Sequence, residues 1–311
     1  MKPTPPSFGI GIDIGGTSTR FVVFDADDRA VRHDVGPTVL GPGPLLDDLE
    51  RRVVQAIDAT PTAPTSIGVG IPGTVRDGVV AMALNVGIDG RLDLGAELAS
   101  RTGLPVHVEN DVNAAAFGAC VALSDSLTSL TYLGVGTGLA AGTVVGGEIV
   151  RGAAGAAGEI GHVPVPGRTE RCVCGQTGCI EAIASGRSVV ARMRAAGLDG
   201  GVVELFDAAS DDPSAAAIRD DMVAALAWCV QLAVLLNDVD AVVLGGGVAL
   251  ALGDRLGDAV RADVSARERS APFLEEIGLA ARLRVAPVGV EFGALGAHRS
   301  AIRAIGTGAL A

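Results

Sequence analysis

Lysine is nearly absent from this chain. Lys2, in a Pro-rich leader, is the only one in 311 residues. Its lack elsewhere excludes a G-x-x-x-x-G-K-[ST] phosphate loop, a lysine Schiff base and a protein-kinase β3 lysine. Positive charge is short in general: 24 Lys and Arg stand against 36 Asp and Glu, a formal net charge of −12. A surface of that sign repels a phosphodiester backbone, so nucleic acid is not an expected partner. No basic helix-turn-helix segment accompanies the first strand pattern, which begins at Phe8. No stretch reads as a signal peptide, because Asp13 interrupts the apolar part of "MKPTPPSFGIGIDIGG". No apolar run reaches the length of a bilayer span, so no membrane partner is expected. The cysteines cluster rather than spread as a disulfide framework, which suits a reducing, cytoplasmic setting.

Glycine and aliphatic residues are plentiful: 44 Gly, 49% hydrophobic residues and only 3% aromatic. That composition suits a large core with tight turns and backbone-mediated ligand contacts. "FGIGIDIGG", "TRFVVFDADD" and "RAVRHDVG" read as a β-meander. A helical pattern follows (Leu45, Leu46, Leu49, Val53, Ile57), then the strand "TSIGVGIPG", the helix "LDLGAELASRTG", the strand "LPVHVEND" and a helix of small residues opening at Asp111. "LTSLTYLGVGTG", "LAAGTVVGG" and "EIVRG" restart the meander. A long helix is expected from about Pro213 to Asn237, with Ile218, Met222, Leu226, Val230, Val234 and Leu235 on one stripe. The order describes an α/β unit performed twice, with the boundary near Asp111 and two lobes facing a cleft, where ligands bind.

Three Gly-rich turns each follow a strand: "DIGGTSTR" (13–20), "GVGTGLAAG" (134–142) and "LGGGVAL" (244–250). Any one of them is satisfied by a turn that simply needs left-handed backbone. As a set they can cradle a polyphosphate with N–H groups and hydroxyls, without lysine. The residues concerned are Gly15, Gly16, Thr17 and Thr19, then Gly136, Thr137 and Gly138, then Gly246 and Gly247.

In this order the three turns resemble the phosphate-1, phosphate-2 and adenosine motifs of the actin-like ATPase superfamily. The resemblance implies a two-lobed actin-like ATPase (ribonuclease H-like) α/β fold of duplicated βββαβαβα units around a central cleft. Residues 1–111 would form a smaller lobe, with a final helix of about 292–311 packed back onto it. Residues 112–291 would form the larger lobe, carrying a zinc loop at 162–181. ATP and Mg²⁺ are the implied donor and cation, with Asp13 acting on Mg²⁺ through water; the bare alternative for Asp13 is a strand-end carboxylate capping its turn.

"VENDVNAAAFG" (108–118) is similar to the "ENDANAAA" signature of the ROK family. "IPG", "VGTG", "RGA", "GEIGH", "C.CG..GC.E" and "AS" extend the likeness over most of the chain. It implies an ATP-dependent hexose kinase, glucose to glucose 6-phosphate first, with N-acetylmannosamine, N-acetylglucosamine, mannose, fructose and allose as other acceptors. Asp111 would be the general base, and a carboxylate there is held ionised by the helix N-terminus; a plain N-cap is the competing reading. Asn110, Asn85 and Gly73 of "IPG" fall where the family binds sugar. Ile88 stands where an aromatic residue is common, and Arg20 replaces a frequent Lys, with little expected consequence. A sugar-sensing ROK protein without catalysis and a polyphosphate-using glucokinase are the alternatives; the latter would favour a basic groove. A homodimer or homotetramer is expected.

His162, Cys172, Cys174 and Cys179 give the spacing H-x₉-C-x-C-x₄-C. Three thiolates and one imidazole match a closed tetrahedral zinc site, structural because no position is left for water. Buried thiols or a disulfide are the alternatives. The resemblance makes Glu159, His162 and Glu181 sugar ligands beside that zinc, with one His162 nitrogen on the metal and the other toward a sugar hydroxyl. Glu170 reads as a solvated loop charge, and Cys120 and Cys229 as core residues.

Overall fold

The computed structural model describes residues 8–60, 62–123 and 127–307; Lys2 and residues 308–311 of the expected last helix lie outside them. The chain divides into two compact units. Unit 1 gathers Met1–Asp125, Gly147–Ala156 and Glu291–Ala311, and unit 2 gathers Ser126–Gly146 and Ala157–Val290. Elements are numbered along the whole chain.

Unit 1 is built on a five-stranded sheet of order β3-β2-β1-β4-β8. Its strands are β1 (Gly9–Ile14), β2 (Ser18–Phe24), β3 (Ala30–Pro37), β4 (Ile67–Ile71) and β8 (Val106–Asn110). The meander β1-β2-β3 is antiparallel, and β1, β4 and β8 run parallel. The alternation in "GIGIDI" explains how the sheet is covered. Ile10, Ile12 and Ile14 enter one core with residues of α1 (Pro42–Ala59) and α2 (Leu94–Thr102). Gly9, Gly11 and Asp13 take the other face, where α12 (Phe292–Thr307) lies so close that a Cβ on Gly11 would sit 2.0 Å from the Ala294 carbonyl oxygen.

α3 (Asp111–Ala122) packs against α12 through a pair of glycines. A Cβ on Gly118 would fall 2.0 Å from the Phe292 carbonyl oxygen, and one on Gly296 1.7 Å from that of Ala114. This contact keeps α3 in unit 1, so the division falls after that helix rather than at Asp111. A small antiparallel sheet, β5 (Thr74–Arg76), β6 (Val79–Ala83) and β7 (Ile88–Asp93), precedes α2. The segment Gly147–Ala156, which carries the short β11 (Glu148–Ile149) and is no part of that small sheet, is grouped with this unit, where Arg303 of α12 donates to the Gly147 carbonyl and pairs with Glu148.

In unit 2 the antiparallel pair β9 (Leu130–Val135) and β10 (Leu139–Val145) continues into the parallel strands β12 (Ala241–Gly245) and β13 (Leu283–Val285). The helices are α4 (Ile180–Ala184), α5 (Gly186–Ala195), α6 (Val202–Ala208), α7 (Pro213–Asn237), α8 (Gly246–Leu252), α9 (Asp254–Arg269), α10 (Pro272–Ile277) and α11 (Leu279–Arg282). Pro213 at N1 and the Asp212 side chain, which accepts from the Ser214 and Ala215 amides, start α7. By length and composition α7 could cross a membrane, contrary to the expectation that no segment reaches that length. Its Ile218, Met222, Leu226, Cys229, Val230 and Val234 are instead packed in the core of unit 2. Leu235, placed on the same stripe by periodicity, is 42% exposed.

Candidate functional site

The hairpin between β1 and β2 leaves Gly16 and Thr17 exposed, while the Gly15 amide donates to the Ser18 carbonyl at 2.9 Å. Thr19 does not join them. It is 1% exposed, and its hydroxyl lies 3.1 Å from that of Thr38, which donates to the Gly15 carbonyl at 2.6 Å. Strand alternation turns position 19 inward, so this hydroxyl shapes the loop from behind instead of facing a ligand.

Asp13 stands at the end of β1 with its carboxyl against α12, where a Cβ on Gly293 would come within 2.6 Å of it. Desolvation pushes its pKa up to about 6; Arg20 works against the rise and Glu291 adds to it. Arg20 lies opposite Asp13 in the β1–β2 register, 3.9 Å from its carboxylate and 3.1 Å from that of Glu291. It is therefore part of the Asp13 environment, not a bystander beyond the loop. Nothing in the local sequence of Glu291 pointed to it; its pairing depends on the return of the chain at α12.

The turn from β8 into α3 holds three consecutive polar residues. Asn110 is the N-cap: its Oδ1 accepts from the Val112 and Asn113 amides at 3.1 and 3.2 Å. Its Nδ2 donates to the Gly73 carbonyl at 3.1 Å, so a single N–H remains for any further bond. Asp111, the first helical residue, is released from the capping role, and its Oδ1 accepts the Val112 amide at 2.9 Å. Gly70 of β4 brings the two carboxylate-bearing strand ends into one neighbourhood: a Cβ there would lie 3.6 Å from Asp111 Cα and 3.7 Å from the Ile12 carbonyl oxygen. Asp13, Gly73 and the 110–111 turn all sit at carboxyl ends of parallel strands, where open α/β sheets bind ligands. Asn85, on a single 3₁₀ turn (Leu84–Val86), is exposed and abuts Gly16. Ile88 is 1% exposed inside the core, so it shapes no pocket wall.

In unit 2 the β9–β10 hairpin closes with the Gly136 amide donating to the Gly138 carbonyl at 3.0 Å, and leaves Thr137 exposed. β12 passes into α8 at Gly246, whose φ of +85° and whose approach to the Val135 carbonyl (2.7 Å from a built Cβ) admit only glycine. Gly136 and Gly247 both look into open space. A cavity of about 450 Å³ lies here, lined by Gly136, Thr137, Gly186, Arg187, Val190, Ala191, Arg194, Val202 and Val248. Its walls are apolar apart from the Thr137 hydroxyl and two guanidiniums of α5, Arg187 and Arg194, which sit two turns apart on one face; sequence reasoning did not single out the arginines. Glu181 opens α4 and accepts the Leu139 amide at 3.0 Å, which ties it to the same hairpin.

His162, Cys172, Cys174 and Cys179 converge, their ligand atoms all within 4.8 Å of one another. Cys174 and Cys179 sulfurs are 3.7 Å apart, as are Cys172 Sγ and His162 Nδ1. A zinc–sulfur bond of about 2.3 Å implies tetrahedron edges of about 3.8 Å, so the set fits that ion. Without a metal these thiols disagree: burial pushes Cys179 up to about 12, while the Gln176 backbone amide draws Cys174 down to about 6. A bound cation would ionise all three. The other imidazole nitrogen, Nε2, faces Glu159 at 3.8 Å. Glu170 is no free loop charge. Desolvation acts to raise its pKa, but hydrogen bonds from Arg168 hold it below the usual range. Arg168 in turn donates twice to Asp221 of α7 at 2.8 Å, and Arg192 of α5 joins the same carboxylate.

Residues 9–303 match the ROK family. An N-acetylmannosamine kinase of Vibrio cholerae is 33% identical over 264 residues, 81% of this chain and 88% of that protein. A glucokinase of Thermotoga maritima is 30% identical over 266 residues, 78% and 82% of the two chains. The crystal structure of a ROK hexokinase from Thermus thermophilus superposes with a TM-score of 0.82 at 31% identity, over 96% of this chain and 99% of that one. With its strand-end carboxylates, its three glycine turns and its Cys₃His cluster in place, the chain belongs to the ROK family.

Proposed function

We propose that this ROK sugar kinase transfers the γ-phosphate of ATP to the 6-hydroxyl of a hexose, glucose in the first place. The carrying observation is the division of labour at the β8–α3 turn: Asn110 caps the helix, and Asp111 stands in its first turn at the carboxyl end of β8. There Asp111 accepts the hydroxyl proton as that oxygen bonds to phosphorus and the bond to the ADP oxygen breaks. Phosphoryl transfer depends mostly on positioning and electrostatics, so late proton transfer suffices. Asp13 is the residue that would hold Mg²⁺, and the cation would supply charge neutralisation at the phosphates. The turns at 15–17, 136–138 and 246–247 offer N–H groups and the Thr17 and Thr137 hydroxyls to the triphosphate, and the cavity beside Val248 suits the nucleoside.

His162, Cys172, Cys174 and Cys179 would hold a structural zinc with no open position. Glu159, His162 Nε2, Glu181, Asn85 and the remaining N–H of Asn110 are the sugar-binding groups in this reading, since carboxylates accept well from polyol hydroxyls. The protein acts in the cytoplasm as a homodimer or homotetramer. A second acceptor, N-acetylmannosamine, is favoured by the Vibrio cholerae relative.

A coupled ADP-release assay with Mg-ATP and a panel of glucose, N-acetylmannosamine, N-acetylglucosamine, mannose, fructose and allose tests the reading. Turnover above ~1 s⁻¹ on glucose is expected. Turnover on N-acetylmannosamine alone would replace the acceptor and keep the mechanism. Absence of turnover on every sugar, or Asp111→Ala retaining more than a few per cent of activity (a base is worth ~10²–10⁴-fold), would overturn it.

A further inference from the structure

The "RGA" segment has no part in the mechanism above, yet its arginine pairs with a buried carboxylate beside the proposed base. Arg151 reaches from the segment after β11 to Glu109, 42 residues earlier in the chain, with Nε 2.9 Å from Oε2 and Nη2 on the same oxygen. Glu109 is 3% exposed, while the Arg151 side chain is 47% exposed. The other carboxylate oxygen, Oε1, accepts the Asn110 amide at 3.0 Å and the Asn113 side-chain amide at 3.4 Å. One buried carboxylate thus grips the residue before Asp111 and a residue of the helical turn after it. Its acceptor capacity is filled, two donors to each oxygen.

A pair with one buried partner and one half-exposed partner is a poor source of stability, because desolvation of the carboxylate and solvent screening of the guanidinium offset most of the attraction. What a filled carboxylate provides is a fixed geometry for the groups bonded to it. The peptide leading into Asn110 is one of those groups. Its orientation sets where the Asn110 cap and the Asp111 carboxylate point. β8 is the edge strand of its sheet, so among the described residues no further strand of that sheet pairs with it on the outer side.

We propose that Glu109 and Arg151 form a positioning pair that holds the Asn110–Asp111 turn in register for phosphoryl transfer. The proposal rests on the kinase reading of Asp111. Neither residue touches substrate. Both act through the turn, and they act as one unit.

The test combines kinetics with amide hydrogen exchange on the full-length protein. Arg151→Ala, Arg151→Lys, Glu109→Gln and the Glu109→Gln/Arg151→Ala double variant are compared with wild type well below their melting temperatures. Misplacing a reacting group by about 1 Å costs ~10²-fold. Arg151→Ala and Glu109→Gln should lose about tenfold or more in kcat with the KM for ATP within threefold. The double variant should lose no more than the worse single one, and Arg151→Lys should recover part of the loss. Exchange at the 110–113 amides should rise in Arg151→Ala while the peptides of unit 2 stay unchanged. A folded Arg151→Ala protein with kcat within twofold of wild type, however much its melting temperature falls, would reduce the pair to a structural contact and overturn the proposal. Should that variant fail to fold, Arg151→Lys decides on the same twofold criterion. A wild type inactive on every sugar removes the kinase reading instead, and the exchange data alone then decide: unchanged 110–113 amides in Arg151→Ala overturn the anchor.

Discussion

The two units hold their carboxylates in place by opposite means. In unit 1, Asp13, Glu109 and Asp111 stand at strand ends backed by a sheet whose isoleucines are fully buried. In unit 2, Glu159 and His162 ride on a loop whose own buried cluster is Cys172, Cys179 and Ala182, with Ile160 and Val165 partly buried against the larger core. That loop is fastened by four metal-type ligands and by the Arg168–Glu170–Asp221–Arg192 ion pairs. Where few apolar side chains anchor a loop, metal-type ligands and charge add to what they fix. The two regions should therefore fail under different treatments.

The largest contrast should come from the metal. Chelation, or Cys179→Ser, is expected to remove the proposed zinc and to raise the sugar KM by well over tenfold, because a structural zinc site carries about 10–16 kcal/mol of apparent binding energy. Nucleotide binding, followed by fluorescence of a labelled analogue, should change far less. Equal loss of both would show that the loop is not a separate fastening.

A middle-sized effect should appear in unit 1 with pH. Asp13 must be ionised to act on a cation, and its value lies near 6. Activity should then rise with pH through about 6 and level off above it. Arg20 lowers that value and Glu291 raises it, so Arg20→Ala should move the acid limb to higher pH and Glu291→Gln to lower pH. Because the folded value lies above the ordinary 3.8, the fold itself is favoured by protonation and loses stability as pH rises from about 4 to about 6. A limb that stays put in both variants would separate Asp13 from the pH dependence.

Smaller effects would sharpen the comparison. Asp221→Ala removes a carboxylate shared by two arginines but one-third exposed. Roughly 1 kcal/mol of stability should go with it. Its sugar KM should rise while its ATP KM holds. Thr19→Val, finally, should leave the ATP KM within twofold, since the hydroxyl serves Thr38. A tenfold rise would return Thr19 to the phosphate loop.

The motifs that could be read from sequence are those whose chemistry is local: three glycine turns after strands, a His and three Cys at ligand spacing, and polar residues at a strand-to-helix turn. What escaped was set by partners far along the chain. Whether Asn110 or Asp111 caps α3 was decided by the Gly73 carbonyl, 37 residues earlier. Arg20 gained its role from Glu291, and Arg151 from Glu109. Ile88 was placed at the pocket by its likeness to a position where the family often has an aromatic residue; the sheet of β5–β7 puts it in the core. The smaller lobe was read as ending at Asp111 with the last helix packed back onto it; what the sequence did not show is that this helix packs on α3 and so groups α3 with the same unit.

That last contact has a consequence for synthesis. The glycine face of β1 is made first and covered last. Roughly 280 residues separate Ile14 from the helix that closes over it, so at about 5–20 residues per second a nascent chain carries that face open for about 15–60 s. Unit 1 cannot be completed during translation of its own strands; it waits for α12, and a ribosome stalled within unit 2 would hold a half-covered sheet.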